Sequence, residues 1–330
     1  MKTIYIHAGN PKAYSTSLQY ILAENHGKAV DYNGFIPQNK VEKWYSSRSI
    51  SALLNMDLRI SSKRSFEKKI NFYRDLFSEL MELKAPVRCL SSENILMRFS
   101  LSEIEVEEKL ERLSRITDNI CHMHLICIFR PILSSCYSIY LEYLKQGYTQ
   151  DFRYFQSESQ YWADSNFIDS LFPAFTEKLC NRFANIKLSY VCASVQNLDH
   201  RLKFGLRNIF PTLNISTLPH LNQNRESLDY NKLIRFNRIG NAFIDSFGIL
   251  ENHRILWHEQ GCDDLKWNKL RARSGREALT NADTKELVVR PEFGSEFKEF
   301  IADRWFEFSD SSVNVSKCCV AGSPQDLIDF

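Results

Sequence analysis

The chain has 330 residues, of which 25% are charged and 44% are hydrophobic, as expected for a globular protein that can bury a large core. Its 42 basic residues nearly balance 40 acidic ones, which argues against a nucleic-acid-binding protein that depends on overall charge. The opening residues contain only a short apolar run, and no run approaches the ~20 apolar residues of a membrane span. Nine cysteines, an odd number, indicate reduced thiols. We therefore expect a cytoplasmic protein with no transmembrane segment.

Short apolar runs alternate with longer segments of helical periodicity, a pattern typical of a parallel sheet with crossover helices. Strands are predicted at Thr3–His7, Val87–Ser91, His122–Phe129 and Ile186–Val191. Helices are predicted at Ser15–Asn25, Ser65–Leu83, Leu101–Thr117, Ile132–Gln146, Gln160–Phe183, Leu198–Ile209, Tyr230–Phe247 and Ser295–Phe306. Without a repeat or a linker, residues 1–330 are expected to form one α/β domain with a helical C-terminal part. No regular structure is predicted for the tail from about residue 309.

The first predicted strand runs directly into the loop HAGNPKAYSTSLQ, residues 7–19, which opens a helix. The unpaired N–H groups and the dipole of a helix N-terminus attract an anion at such a junction. Lys12 adds a full positive charge, and Ser15, Thr16 and Ser17 add hydroxyl donors. The sequence therefore favours a phosphate-binding loop, and the alternative is an ordinary joint between a strand and a helix.

The spacing of this loop disfavours an ATP or GTP site, and with it a P-loop kinase. Such a site requires G-x-x-x-x-G-K-[ST]. Counted from Gly9, the second glycine would fall on Tyr14 and the lysine on Ser15. Here the lysine comes early, at the third position after Gly9.

The order G-x-P-K-x-x-S-T-S-L-Q resembles the 5′-phosphosulfate loop of PAPS-dependent sulfotransferases, above all the bacterial branch that sulfates surface carbohydrate and lipopolysaccharide. The resemblance implies a P-loop-type parallel sheet flanked by helices, and PAPS as the sulfuryl donor. It assigns Gly9 and Pro11 to the loop, and Lys12 to the phosphosulfate and to the charge of the leaving phosphate. Residues 15–17 would hold the 5′-phosphate.

A second likeness lies after the third predicted strand. Arg130 follows this strand at its carboxyl end, where ligands bind in doubly wound folds, and Ser138 comes eight residues later on a predicted helix. A guanidinium fork and a hydroxyl both suit one phosphate. In the resembling family an Arg–x7–Ser pair binds the 3′-phosphate of PAPS. The alternative is that Arg130 is a helix-start charge and Ser138 a surface residue.

A third, weaker likeness lies in the stretch LNQNRESLD, residues 221–229. It resembles an Asn-x-Ser-Leu loop of the same family, with the asparagine offset by one position. Asn224 and Ser227 are therefore further cofactor-binding candidates. Ser227 is alternatively the N-cap of a following helix.

Sulfuryl transfer is an in-line displacement, for which the protein must position both partners, stabilise the leaving phosphate and accept a proton. This chemistry requires no metal, and the sequence offers no metal site. Glu93, just past the second predicted strand, is the candidate base; alternatively it begins a helix. Glu24 and His26 rank lower because a helix of ~1.5 Å rise per residue carries them away from the loop. His7, at the loop entrance, is expected to be a hydrogen-bonding support.

These residues predict transfer of the sulfuryl group from PAPS to a hydroxyl of a carbohydrate or lipopolysaccharide-type acceptor, leaving PAP, with no nucleic-acid partner. Tyr14 departs from the family, which usually has glycine there, and a side chain is costly at positive φ. Either the backbone is right-handed at Tyr14, or cofactor binding is weakened. The second case motivates an alternative function, a catalytically impaired homologue that binds PAP or another nucleotide and acts as a binding or scaffold protein.

Overall fold

The computed structural model describes residues 2–9, 14–33, 35–36, 43–44, 50, 53–82, 87–93, 95–98, 103–145, 152–162, 168–193, 198–213, 215, 293–309, 318–321, 323 and 327. The chain divides into two compact units. The first unit comprises Met1–Ser135, Ser159–Leu221 and Lys298–Phe330, and the second comprises Cys136–Glu158 and Asn222–Phe297. The helix predicted at Tyr230–Phe247 lies outside the described residues.

The described strands are β1 (Lys2–His7), β2 (Asp31–Asn33), β3 (Phe35–Ile36), β4 (Lys43–Trp44), β5 (Arg88–Ser91), β6 (Cys121–Phe129), β7 (Ile186–Cys192) and β8 (Cys319–Ala321). The described helices are α1 (Ser15–Glu24), α2 (Lys63–Glu67), α3 (Ile70–Glu82), α4 (Val106–Thr117), α5 (Ile132–Lys145), α6 (Phe152–Trp162), α7 (Pro173–Cys180), α8 (Leu198–Ile209) and α9 (Ser295–Ser309). None of these helices is both long enough and apolar enough to cross a membrane.

Six strands of the first unit form one parallel sheet in the order β2-β5-β1-β6-β7-β8. Helices flank this sheet, so the predicted α/β class is confirmed. The four strands predicted from the sequence are the four central strands. The sequences of these strands are runs of apolar residues because strands in the middle of a parallel sheet are covered on both faces. The two edge strands, β2 and β8, were not predicted.

The core that positions the first loop lies between the sheet and helices α1 and α8. α1 contributes Leu18 and Leu22, and α8 contributes Leu202 and Leu206, all at most 2% exposed. These side chains join apolar residues of β5, β6, β7 and β8 in one buried cluster. The packing therefore fixes the direction in which α1 leaves the sheet edge.

Two of the predicted helices are interrupted in the structure. The predicted helix Gln160–Phe183 is wrong as a single element, because α6 ends at Trp162 and α7 begins with Pro173 at its first turn. Proline lacks an N–H and fits the start of a helix but not its interior. The predicted helix Ser65–Leu83 is likewise two helices, α2 and α3, and the side chain of Ser62 caps α2 by accepting from Ser65 N at 3.2 Å.

Candidate functional site

The carboxyl ends of β5, β1 and β6 lie side by side at one edge of the sheet. His7, the last residue of β1, is paired with Ser91 at the end of β5 and with Ile126 of β6. Glu93 follows β5 by two residues, and Arg130 directly follows β6. The topology of the first unit thus brings the first loop, Glu93 and Arg130 to the same sheet edge.

The first loop is described at both of its ends. Gly9 is buried, and the described chain resumes at Tyr14, so Pro11 and Lys12 lie outside the described residues. Tyr14 has φ 60° and ψ 16°, which is the left-handed conformation. Of the two alternatives for Tyr14, a right-handed backbone or weakened cofactor binding, the first is therefore wrong. A tyrosine adopts here the conformation that glycine adopts at little steric cost.

Helix α1 presents buried hydroxyl groups at its N-terminus. Ser15 is 3% exposed and Ser17 is 9% exposed, and Thr16 between them is half-buried. The first turn of α1 contains no acidic residue, so the helix's own side chains do not compensate the positive end of its dipole. The chemistry of this turn suits an anion.

His7 was predicted to be a hydrogen-bonding support at the start of the loop. Its side chain forms a hydrogen bond to Ser91 at the end of β5. Its Nδ1 atom lies 2.8 Å from Ser91 Oγ, and Gln19 of α1 donates to the same oxygen at 3.2 Å. The main chain reinforces this junction, since Ser92 N donates to the carbonyl oxygen of His7 at 2.9 Å. His7 is fully buried, and burial lowers its pKa to about 4, so the imidazole is neutral at physiological pH.

Gly9 lies against the other side of the His7 ring. A Cβ atom placed on Gly9 would be 2.4 Å from His7 Nε2 and 3.0 Å from Ser15 Oγ. His7 Nε2 is buried, and within the part of the chain that the structure describes it has no hydrogen-bond partner. The contribution of Gln19 and the unsatisfied Nε2 were not foreseen from the sequence. The sequence feature that could have indicated the contact between His7 and Gly9 is that they are only two positions apart.

Arg130 and Ser138, the two residues predicted to bind the 3′-phosphate, are both described by the structure. Arg130 is half-buried, and its Nη2 atom donates to Ser134 Oγ in the first turn of α5. Ser138 lies four residues further along α5, is half-buried and belongs to the second unit. Asn224 and Ser227 lie outside the described residues.

Among the candidate bases, Glu93 is half-buried in the turn that follows β5. Glu24 is the last residue of α1, and it raises the pKa of Tyr20 by accepting a hydrogen bond from it. His26 is occupied by the main chain, because Tyr32 N donates to its Nδ1 at 3.0 Å. These contacts give Glu24 and His26 local structural roles at the carboxyl end of α1.

Comparison of the chain with protein-family models, with curated proteins and with solved structures gives no match. Within the described ranges, no group of three or more histidine, cysteine, aspartate or glutamate side chains is arranged to hold a metal ion.

Proposed function

We propose that this chain is a PAPS-dependent sulfotransferase that transfers the sulfuryl group to a hydroxyl of a carbohydrate or glycoconjugate acceptor. The observation that supports it most is the junction of β1 and α1. There a buried glycine, a left-handed residue and two buried serines surround a helix N-terminus at the carboxyl edge of a parallel sheet. This combination suits a phosphate-type anion.

In the proposed reaction, Lys12 and residues 15–17 bind the 5′-phosphosulfate of PAPS. Arg130 and Ser138 bind its 3′-phosphate, and Asn224 and Ser227 complete the cofactor site. The proposal also includes a P-loop-type arrangement of the sheet, a helical C-terminal part and a cytoplasmic location.

The chemical step is an in-line displacement at sulfur. The acceptor oxygen forms a new S–O bond while the bond between sulfur and the bridging phosphate oxygen breaks, and PAP leaves with that electron pair. Glu93 accepts the proton of the attacking hydroxyl, and Lys12 neutralises the charge that develops on the leaving phosphate. The protein would accelerate this step by positioning the reactants, by electrostatic stabilisation of the leaving phosphate and by general base catalysis.

The test is a PAPS-dependent transfer assay against a panel of sugars with wild-type protein and two lysine variants. Lys12→Ala is expected to abolish transfer while the circular dichroism spectrum is unchanged. Lys28→Ala, which removes an exposed charge in the turn after α1, is the matched control and is expected to retain activity. Normal transfer by Lys12→Ala would sink the proposal.

Tyr14 favours a second candidate, the catalytically impaired PAP-binding homologue. Its side chain stands at a left-handed position at the start of α1, where the family usually has a glycine. Titration calorimetry with PAP together with the transfer assay separates the candidates. Binding with transfer supports the enzyme, and binding without transfer to any sugar supports the homologue. Absence of binding at high micromolar PAP rejects the enzyme and favours a non-catalytic protein.

A further inference from the structure

The hydrogen bonds around Ser91 define which nitrogen of His7 carries the proton. The amide of Gln19 donates to Ser91 Oγ, so this oxygen already accepts one hydrogen bond. The hydroxyl hydrogen of Ser91 needs an acceptor because the residue is only 5% exposed, and His7 Nδ1 lies 2.8 Å away. In a neutral imidazole, one nitrogen accepts and the other donates. With Nδ1 accepting from Ser91, the proton is on Nε2.

The resulting Nε2–H group is a donor that has no acceptor among the described residues. It is buried, and within the described part of the chain nothing accepts from it. Burial of an unsatisfied donor is unfavourable, and native proteins retain such groups mainly where function or an unseen partner accounts for them. The neutral state of the ring, with a pKa lowered by burial, keeps this group a donor without adding a buried charge.

The space in front of Nε2 belongs to the first loop. The Cβ position of Gly9 lies 2.4 Å from Nε2 and 3.0 Å from Ser15 Oγ, so any side chain at Gly9 would fill the gap between these two polar groups. Ser15 is the first residue of α1, where the N–H groups and the helix dipole attract an anion. The imidazole donor, the serine hydroxyl and the helix N-terminus thus border the same small space.

We propose that His7 is an anion-binding residue of this loop, whose Nε2–H donates to a phosphate or sulfate oxygen held at the N-terminus of α1. Ser91 and Gln19 are positioning residues, because they hold the ring and set its tautomer. The inference rests on the proposed function, in which that oxygen belongs to the phosphosulfate end of PAPS or to the 5′-phosphate of PAP.

Two substitutions of His7 separate the two nitrogens. His7→Asn places an amide oxygen near the Nδ1 position, where it accepts from Ser91, but it offers nothing at the Nε2 position. His7→Gln reaches the Nε2 position with an amide N–H. We expect PAP affinity, measured by titration calorimetry, to fall about tenfold or more in His7→Asn, as for loss of a hydrogen bond to a charged group. In His7→Gln it should fall distinctly less.

The outcomes distinguish this inference from the proposed function. If the wild-type protein binds PAP and His7→Asn binds it equally well, the role of His7 is overturned and the sulfotransferase proposal is unaffected. If the wild-type protein binds neither PAP nor inorganic sulfate or phosphate, both are overturned. A third outcome is that the wild-type protein binds the inorganic anions but not PAP, and that His7→Asn lowers the affinity for those anions. This outcome supports the anion site and rejects PAPS as its ligand.

A spectroscopic measurement on the wild-type protein covers the case in which the variants do not fold. Nitrogen NMR of the labelled imidazole is expected to show a neutral ring protonated on Nε2, with the Nε2 resonance shifting on addition of PAP. A structural role alone would leave that resonance unchanged by ligand. An unchanged resonance at saturating PAP, or a ring protonated on Nδ1, would overturn the proposal.

Discussion

The carbonyl of Tyr14 accepts a hydrogen bond from Leu18 N at 3.1 Å and so closes the first turn of α1, while the backbone of Tyr14 itself is left-handed. The Tyr14 side chain is half-buried and packs on the core beneath α1. The residue therefore combines a steric cost in its backbone with a gain from ring packing. These two effects can be separated by substitution.

We expect Tyr14→Gly to be more stable than Tyr14→Ala by about 1 kcal/mol, because both lose the ring but only glycine relieves the left-handed conformation. Equilibrium unfolding in urea measures the difference. Ala23, inside α1, provides the control: there glycine should be less stable than alanine by about 1 kcal/mol. Equal stability of the two Tyr14 variants would contradict the left-handed assignment.

Acid should destabilise the protein through His7. The unfolded chain protonates this imidazole below about pH 6.5, but the folded protein keeps it neutral until about pH 4 because the ring is buried. Between these values the unfolded state binds more protons, so the free energy of unfolding falls as the pH is lowered. The loss amounts to about 1.4 kcal/mol per pH unit and roughly 3 kcal/mol in all.

Urea unfolding between pH 7 and pH 4 tests this pH dependence. His7→Asn lacks the titrating group and should lose less stability over the same interval. Parallel curves for the two proteins would show that the His7 pKa is not depressed.

Gly205 of α8 should not tolerate alanine, although alanine normally stabilises a helix interior by about 1 kcal/mol. A Cβ atom at Gly205 would lie 2.5 Å from Val191 Cγ2 in β7 and 3.2 Å from Ala321 Cβ in β8. A β-branched valine in a strand has little freedom to move away. We expect Gly205→Ala to lower the free energy of unfolding by about 1–2 kcal/mol, measured in urea.

A double-mutant cycle identifies the cause of that loss. Val191→Ala opens the space that the new methyl group needs, so the double variant should be more stable than the sum of the single effects by about 1 kcal/mol. Additive effects would mean that the steric contact with Val191 is not the reason why residue 205 must be glycine.

Lys109 and Glu103 form a buried ion pair. The lysine is 0% exposed, and its Nζ lies 3.3 Å from Glu103 Oε2. Burial lowers the pKa of Lys109 to about 8, against the opposing effect of Glu103. Glu103→Gln should cost about 3 kcal/mol because it removes the buried carboxylate that pairs with both Lys109 and Arg59.

The paired substitution Glu103→Leu with Lys109→Met removes both charges and serves as the comparison. It should be more stable than Glu103→Gln alone, since similar volume is kept and the fully buried ammonium of Lys109 is removed together with its carboxylate partner. Thermal and urea unfolding both report this order. A double variant less stable than Glu103→Gln would show that the ammonium left without its carboxylate is not the cause of the loss.

The sequence by itself determined the central strands and the chemistry of the first loop. β5, β1, β6 and β7 are covered on both faces and therefore appear as apolar runs, whereas the edge strands β2 and β8 have three residues each. An edge strand pairs on one side only, so its formation depends on backbone groups of a neighbour distant in sequence. Cys319 of β8, for example, is paired with Tyr190 of β7.

Only the tertiary structure decided the conformation of Tyr14 and the state of the His7 ring. Gly9 and Ser15 are recognisable in the sequence because their residue types and spacing suit an anion. The orientation of His7 depends on Ser91, 84 residues away, and on Gln19, which lies 72 residues from Ser91. A local pattern specifies which polar groups a loop contains, but long-range packing determines which of those groups remain without a partner.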